Sequence, residues 1–306
     1  MVTLPDEDWI ARVGPVDGIE PIGWDIVSDP DRLAEAELVV PPYMGDRSVL
    51  VRLAELPRLR AVQLMSAGYE DVLPMIPAGV QLANATGVHD ASTAELAVGL
   101  VLASLRGLPQ FVRAQDRATW APDHSRRSLA DRRVLIVGYG SIGRAFARRL
   151  SGFEAGMTAV ATRARAGDEL VRHVHGIDEL PGLLPQHDVV VLIVPLTEAT
   201  RHLVGRDFLA ALPDGALVVN VARGPVVDTE ALLEATASGR ILAALDVTEP
   251  EPLPDGHPLW TAPGVLVTPH IGGATSAFPP RAAELLRSQL AAFAAGEPLR
   301  NVVHHG

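Results

Sequence analysis

Short hydrophobic runs recur along the second half of the chain: Val134 to Val137, Met157 to Ala161, Val189 to Val194, Leu217 to Val221, Ile241 to Leu245 and Val265 to Val267. Each is too short for a helix, most are rich in β-branched residues, and their lack of alternation predicts strands buried on both faces. Helical patterns separate them, which predicts a parallel sheet wound on both sides by crossover helices. After the first run, Ile142, Phe146 and Leu150 recur every four residues and form one apolar helix face. Asp228 before Ala231-Leu232-Leu233, and Gly239 after it, read as helix start and stop signals.

Upstream, Leu38 to Val40, Ala61 to Leu64 and Val80 to Leu82 are strand candidates with turn-rich connections, enough for a smaller α/β unit. Asp90 to Leu105 reads as a long apolar helix joining the two units. Leu286, Leu290 and Phe293 line a last helix that stops at Gly296 and is expected to return to the first unit. The expected organisation is a discontinuous domain of residues 1–92 and 275–306 around a second domain of residues 93–274. Pro250-Glu251-Pro252-Leu253-Pro254 predicts a stiff loop, and no internal repeat is evident.

Composition narrows the function. A chain of 306 residues with 48% hydrophobic and 21% charged residues is globular and long enough for two domains. A formal charge of −11 argues against general binding to nucleic acid or anionic membranes. The absence of cysteine removes thiolate metal sites and thiol nucleophiles and fits a reducing cytosol. Asp6, Glu7, Asp8 and Asp17 stand where a secretion signal needs a basic start and an apolar core, so a soluble cytoplasmic protein is expected. The apolar stretches near Leu96 to Leu105 and Val189 to Leu196 are too short for a membrane span. His173 and His175 alternate along a possible extended segment, but no cysteine or carboxylate spacing supplies further ligands, and no metal is expected. Arg126-Arg127 and Arg132-Arg133 read as a solvated basic cluster.

Chemistry gathers at strand ends. Val134 to Val137 runs into Gly138-Tyr139-Gly140-Ser141-Ile142-Gly143, a glycine pattern that lets a backbone turn and a helix N-terminus approach a dinucleotide pyrophosphate. An acid that accepts the ribose hydroxyls belongs about 20 residues further on. Here that position holds Thr162-Arg163-Ala164-Arg165. A guanidinium cannot accept a hydrogen bond but suits a 2′-phosphate, so NADP(H) is expected in preference to NAD(H), unless both arginines are solvated loop charges. Arg223, Glu251 and His270 each lie just past an apolar run and would meet on one sheet edge. The arginine could hold a carboxylate and adjacent carbonyl, and the histidine could supply the proton for a hydride reduction. Glu251 could orient the imidazole, with Glu249 a competitor for that role.

The stretches Val137 to Gly143, Val194-Pro195-Leu196-Thr197-Glu198-Ala199-Thr200-Arg201, Asn220-Val221-Ala222-Arg223-Gly224, Leu245 to Leu253 and Thr268-Pro269-His270-Ile271-Gly272-Gly273 together resemble the D-isomer-specific 2-hydroxyacid dehydrogenase family. Ser66-Ala67-Gly68-Tyr69 and Asn84-Ala85-Thr86-Gly87-Val88 extend the likeness more weakly into the first domain. The resemblance implies a Rossmann-type domain plus a smaller, discontinuous flavodoxin-like domain, and a homodimer paired through the cofactor domain. It implies that Arg223 binds and polarises a 2-oxo acid, that His270 is the acid/base, and that Glu251 rather than Glu249 pairs with it. It also implies that backbone N–H groups of Ala67 and Gly68 bind the substrate carboxylate. Asp246 would meet the nicotinamide end, or else be a structural strand-end acid. The implied cofactor set is Gly138, Gly140, Ser141, Ile142, Gly143, Thr162, Arg163, Arg165, Pro195, Val221, Asp246 and Gly272.

The expected activity is NADPH-preferring reduction of a small 2-oxo acid, such as glyoxylate or hydroxypyruvate, between two domains that close on it. NAD(H) is possible as a second cofactor. Two rivals share the fold: a dehydrogenase oxidising another hydroxy acid or phosphite, and a nicotinamide-sensing module like the transcriptional corepressors of this architecture. Glutamate at 251, where formate dehydrogenases of this fold carry glutamine, disfavours that activity.

Overall fold

The computed structural model describes residues 1–27 and 34–305. The chain forms two compact units, Met1–His89 with Ser276–Gly306, and Asp90–Thr275. The divide falls at Asp90 rather than after residue 92 because the helix Asp90–Arg106 belongs whole to the second unit.

In the first unit, β1 (Val2–Leu4), β2 (Pro21–Gly23), β3 (Leu38–Val39), β4 (Ala61–Gln63) and β5 (Gln81–Ala83) are parallel in the order β2-β1-β3-β4-β5. This is the flavodoxin-like order. Val302–His304 adds an antiparallel edge to β5. The two-residue pleat sends Leu38, Ala61 and Ala83 to one core and Val39, Val62 and Leu82 to the other. Phe278, Leu286 and Leu290 of the helix Phe278–Ala295 fill the first core, and Leu50 and Leu53 the second. Buried Gln63 accepts a hydrogen bond from Gln289 Nε2 at 2.5 Å and donates to the Leu64 carbonyl at 2.7 Å. The late helix is thereby tied to the early sheet by satisfied polar groups as well as apolar burial. It ends, as expected, at Gly296, whose φ of 70° suits glycine. Helix α1 (Glu7–Val13) is capped by Asp6, which accepts from the Trp9 N–H at 2.8 Å.

The second unit contains β6 (Arg133–Val137), β7 (Gly156–Ala161), β8 (Arg165–Ala166), β9 (His173–Gly176), β10 (Val189–Leu192), β11 (Ala216–Asn220), β12 (Ile241–Leu245) and β13 (Val265–Val267). Their order is β13-β12-β11-β10-β6-β7-β9-β8, parallel except for β8 against β9. The winding reverses between β6 and β10, so the carboxyl ends of that pair form the switch-point crevice. Helices α2 (Asp90–Arg106) and α4 (Ser141–Leu150) cover the face bearing Val134 and Ile136, while α5 (Leu180–Leu183), α6 (Arg206–Ala211) and α7 (Thr229–Ala237) cover the face bearing Leu135 and Val137. Asp228 caps α7 by accepting from the Glu230 and Ala231 N–H groups.

The long apolar helix near Leu96 to Leu105, which by its sequence offers a surface for pairing two subunits, is packed within its own unit instead. Ala97, Leu100, Val101 and Leu105 are buried against the sheet. Exposed apolar side chains lie instead on α3 (Leu108–Asp116), at Leu108 and Val112, and at Trp120 beyond it. No single helix among the described residues is long and apolar enough to cross a membrane; α2 and α3, bent by 68°, pass together by length and composition alone.

Candidate active site

Each glycine of the turn between β6 and α4 has a separate cause. Gly138 has a φ of 109°, and a Cβ there would lie 2.2 Å from the Ile193 carbonyl oxygen beyond β10. A Cβ on Gly143 would lie 2.1 Å from the Gly138 carbonyl oxygen, so the first turn of α4 can pack on the strand only without a side chain. Gly140 would meet nothing within 4 Å, and it caps α4 with no side-chain hydrogen bond. The N-terminus of α4 thus keeps its N–H groups and partial positive charge open to an anion, with Ser141 exposed and Ile142 half-buried beside it. These features fit a dinucleotide pyrophosphate.

Beyond β7 the expected ribose-end residues separate. Thr162 and Arg163 are exposed in the turn after the strand. Arg165, on β8, donates from Nη2 to the Tyr139 carbonyl at 2.7 Å and so holds the glycine turn itself. Tyr139 in turn donates its hydroxyl to Asp168 at 2.9 Å, and Arg144 of α4 pairs with the other Asp168 oxygen at 3.0 Å. Burial first, and then the bond to Asp168, raises the Tyr139 phenol above its ordinary range. Sequence reading missed this brace because Tyr139 and Asp168 lie 29 residues apart and nothing local pairs them.

Arg223, Glu251 and His270 are assembled by the loops after β11, β12 and β13. Asn220 shapes the first loop, accepting from the Ala222 N–H at 3.0 Å and donating to the Arg223 carbonyl at 2.9 Å. Arg223 Nη1 donates to the Ala222 carbonyl at 2.7 Å. A Cβ on Gly224 would lie 1.9 Å from the Thr248 carbonyl oxygen, so the loop bearing Glu251 can close on the loop bearing Arg223 only past a glycine.

His270 has a φ of 53°, a left-handed conformation that is uncommon outside glycine, Asn, Asp and His. Asp246 holds it there. Its carbonyl accepts from the His270 N–H at 2.7 Å. Its buried carboxylate accepts from Thr268 Oγ1 at 2.6 Å, the Ile271 N–H at 3.0 Å and the Gly272 N–H at 2.9 Å. In this structure Asp246 is a strand-end organiser of the histidine loop.

His270 Nδ1 lies 2.5 Å from Glu251 Oε1. Burial pushes the Glu251 carboxyl up, but the hydrogen bond and charge of His270, the Thr248 N–H and the charge of Arg223 outweigh it and hold the group below the ordinary glutamate value. Glu249 is engaged elsewhere, with Arg201 Nη1 at 3.1 Å and His202 Nε2 at 2.9 Å. Thr229 Oγ1 donates to the Glu249 carbonyl at 2.8 Å and Thr248 Oγ1 to the Pro250 carbonyl at 2.8 Å, which fixes the proline-rich loop.

Pro195 is exposed after β10, its carbonyl accepting from Thr200 Oγ1 at 2.7 Å, and Val221 is buried just past β11. In the first unit, Asn84 Nδ2 donates to the Ala67 carbonyl at 2.7 Å and Ser66 Oγ to the Gly68 carbonyl at 2.8 Å, so this loop is fixed by its carbonyl side. Well-formed cavities also lie elsewhere on the chain. One of about 430 Å³ opens near the amino ends of β12 and β13, beside Arg113, Arg126 and Trp260.

A switch-point glycine turn and an arginine, glutamate and histidine mounted on the same unit define a nicotinamide-dependent oxidoreductase. The chain belongs to the D-isomer specific 2-hydroxyacid dehydrogenase family: the family's NAD-binding domain matches residues 98–272. It is 36% identical over 249 residues to a glyoxylate reductase of Thermofilum pendens, covering 79% of this chain and 74% of the relative. It is 34% identical over 248 residues to the human glyoxylate reductase/hydroxypyruvate reductase, covering 79% and 76%. A D-isomer specific 2-hydroxyacid dehydrogenase from Xanthobacter autotrophicus Py2, solved with NADPH and MES, superposes with a TM-score of 0.81 at 32% identity over 99% of this chain and 98% of that one.

Proposed function

We propose that the protein reduces small 2-oxo acids of the glyoxylate and hydroxypyruvate kind to D-2-hydroxy acids, with NADPH preferred over NADH. The observation that carries this reading is the Glu251–His270 pair held on the same unit as the open N-terminus of α4. When bound, the cofactor supplies the hydride. Arg223 directs its guanidinium at the substrate carboxylate and carbonyl oxygen, orienting the carbon and stabilising charge that develops on the oxygen. His270 delivers the proton to that oxygen from Nε2, while Glu251 fixes the tautomer and orientation of the ring through Nδ1. Backbone N–H groups of Ala67 and Gly68 are proposed as further carboxylate donors, and Pro195, Val221 and Gly272 as backbone walls of the cofactor site. The names of the relatives support the substrate class, and the NADPH in the Xanthobacter structure supports the cofactor.

Arg163 is the proposed 2′-phosphate contact, because Arg165 is partly committed to the Tyr139 carbonyl. Initial rates with NADPH and NADH against glyoxylate, hydroxypyruvate, pyruvate and phenylpyruvate test the proposal. Arg163→Ala should raise KM for NADPH alone, whereas Arg165→Ala should raise it for both cofactors. A wild-type preference for NADH, or no turnover on the panel, overturns the reading.

A homodimer is proposed through the second unit, with Leu108, Val112 and Trp120 as the exposed apolar surface available for a second copy. Sedimentation of Val112→Asp as a monomer beside a dimeric wild type would support it. A monomeric wild type would refute it.

A further inference from the structure

We propose that His173, His175 and Glu179 form a binding site for a borderline transition-metal dication of the zinc class, separate from the Arg223, Glu251 and His270 cluster. The sequence showed two alternating histidines and no third ligand; the fold supplies one. Residues two apart on a strand share a face, so His173 and His175 point together while Val174, between them, is fully buried on the other side. The turn that follows β9 brings Glu179 back to that face. Its Oε1 accepts from the Gly176 N–H at 2.8 Å, an N-terminal capping bond that fixes the carboxylate before any ion arrives. Its Oε2 lies 2.7 Å from His175 Nδ1, and the two imidazoles meet edge to face at 4.7 Å between ring centres.

One ligand atom from each of the three residues lies within 4.8 Å of the other two. Tetrahedral zinc, with bonds near 2.0–2.1 Å, needs neighbouring ligand atoms roughly 3.3 Å apart. The His175–Glu179 pair is closer than that, at 2.7 Å, and all three ligand atoms fall within 4.8 Å of one another, so small side-chain rotations reach the required set. The ion takes the place of the proton shared between His175 and Glu179, and that proton leaves to solvent. Two imidazoles and one carboxylate suit Zn²⁺, Co²⁺ or Ni²⁺ and are poor ligands for Mg²⁺ or Ca²⁺, which prefer all-oxygen sets. The coordination sphere is completed by water, because the site is open: His173 and Glu179 are exposed and His175 is half-buried.

Calorimetric titration of tag-free, chelator-treated full-length protein with Zn²⁺, paralleled by the visible absorption of added Co²⁺, tests the site. One equivalent should bind, Mg²⁺ should not compete, and bound Co²⁺ should develop the d–d bands of a low-coordinate nitrogen and oxygen site. His173→Ala and His175→Ala should each weaken Zn²⁺ binding at least about ten-fold, since losing even an outer partner of a metal ligand costs that much. Glu179→Gln, which retains an acceptor for the Gly176 N–H, should weaken it as well while leaving the melting temperature unchanged. Unaltered affinity in the histidine variants, or transfer of the loss to His202→Ala at the exposed Glu249 pair, overturns the assignment. Neither outcome depends on 2-oxo acid turnover.

Discussion

Replacing Glu251 by glutamine removes a charge at nearly constant volume and so isolates what the carboxylate does for His270. Glu251 Oε1 and His270 Nδ1 are 2.5 Å apart, with 38% and 35% of the two side chains exposed. A hydrogen bond to a charged group contributes ~1.5–3 kcal/mol. Solvent screening of so open a pair favours the low end, about 1.5–2 kcal/mol. A barrier change of 1.36 kcal/mol is tenfold in rate, so kcat for 2-oxo acid reduction should fall roughly 10- to 30-fold. Glutamine Oε1 can still accept from Nδ1, so orientation survives and the loss reports charge. Although burial opposes it, the Glu251 carboxyl is held below its ordinary range, chiefly by His270, and is ionised throughout a neutral assay. Steady-state rates at neutral pH measure the effect. An unchanged kcat, or an equal loss in Glu249→Gln, would refute the reasoning, because Glu249 is paired with Arg201 and His202.

Three other perturbations separate structure from chemistry. Gly140→Ala adds a methyl where nothing lies within 4 Å and should raise cofactor KM at constant melting temperature, whereas Gly143→Ala drives a Cβ to 2.1 Å from the Gly138 oxygen. Such overpacking costs ~1–3 kcal/mol, so Gly143→Ala should lower the melting temperature by several degrees, and equal melting of the two variants would contradict the packing argument. Asp246→Ala strips acceptors from Thr268 Oγ1 and the Ile271 and Gly272 N–H groups. At about 1–3 kcal/mol for a buried group left unpaired, stability and turnover should fall together; full kcat in a destabilised variant would mean that the loop does not position His270. Burial holds the His187 imidazole below its ordinary value of 6.5, against the opposing bond to the Leu183 carbonyl. The folded ring therefore stays neutral while the unfolded one takes a proton, so the stability it contributes is full above that value and is lost as pH falls below it. His187→Asn should show a flatter melting temperature between about pH 7 and about pH 5, and a parallel acid decline would exclude His187 as its source.

The doubly wound sheet was legible because its central strands are buried on both faces. Val134 to Val137 and Val189 to Leu192 can be apolar at every position, and such runs stand out. β1 and β2 escape the pattern of apolar runs, and β9 shows only as a possible extended segment. Thr3 is fully buried yet polar, Pro21–Gly23 is half-buried on an edge, and exposed His173 alternates with buried Val174. Within the site, the residue types at strand ends single out Arg223, Glu251 and His270, and the fold carries the three on the loops after β11, β12 and β13. Commitments made across the sheet were not readable: Arg165 to a carbonyl 26 residues away, or Asp246 to a loop 22 to 26 residues away, exist only once the chain has folded.

Because the first unit is assembled from both ends of the chain, its birth on the ribosome is interrupted. Leu4, Leu38 and Ala83 are made early, but Phe278, Leu286 and Leu290, which seal the same core, follow only after the whole of Asp90–Thr275. At ~5–20 residues per second that interval lasts about ten to forty seconds. Through it the nascent amino-terminal sheet bears an oily face without its cover, while the inserted unit has all its strands and can finish first. Chaperone dependence during synthesis should therefore concentrate in the amino-terminal segment.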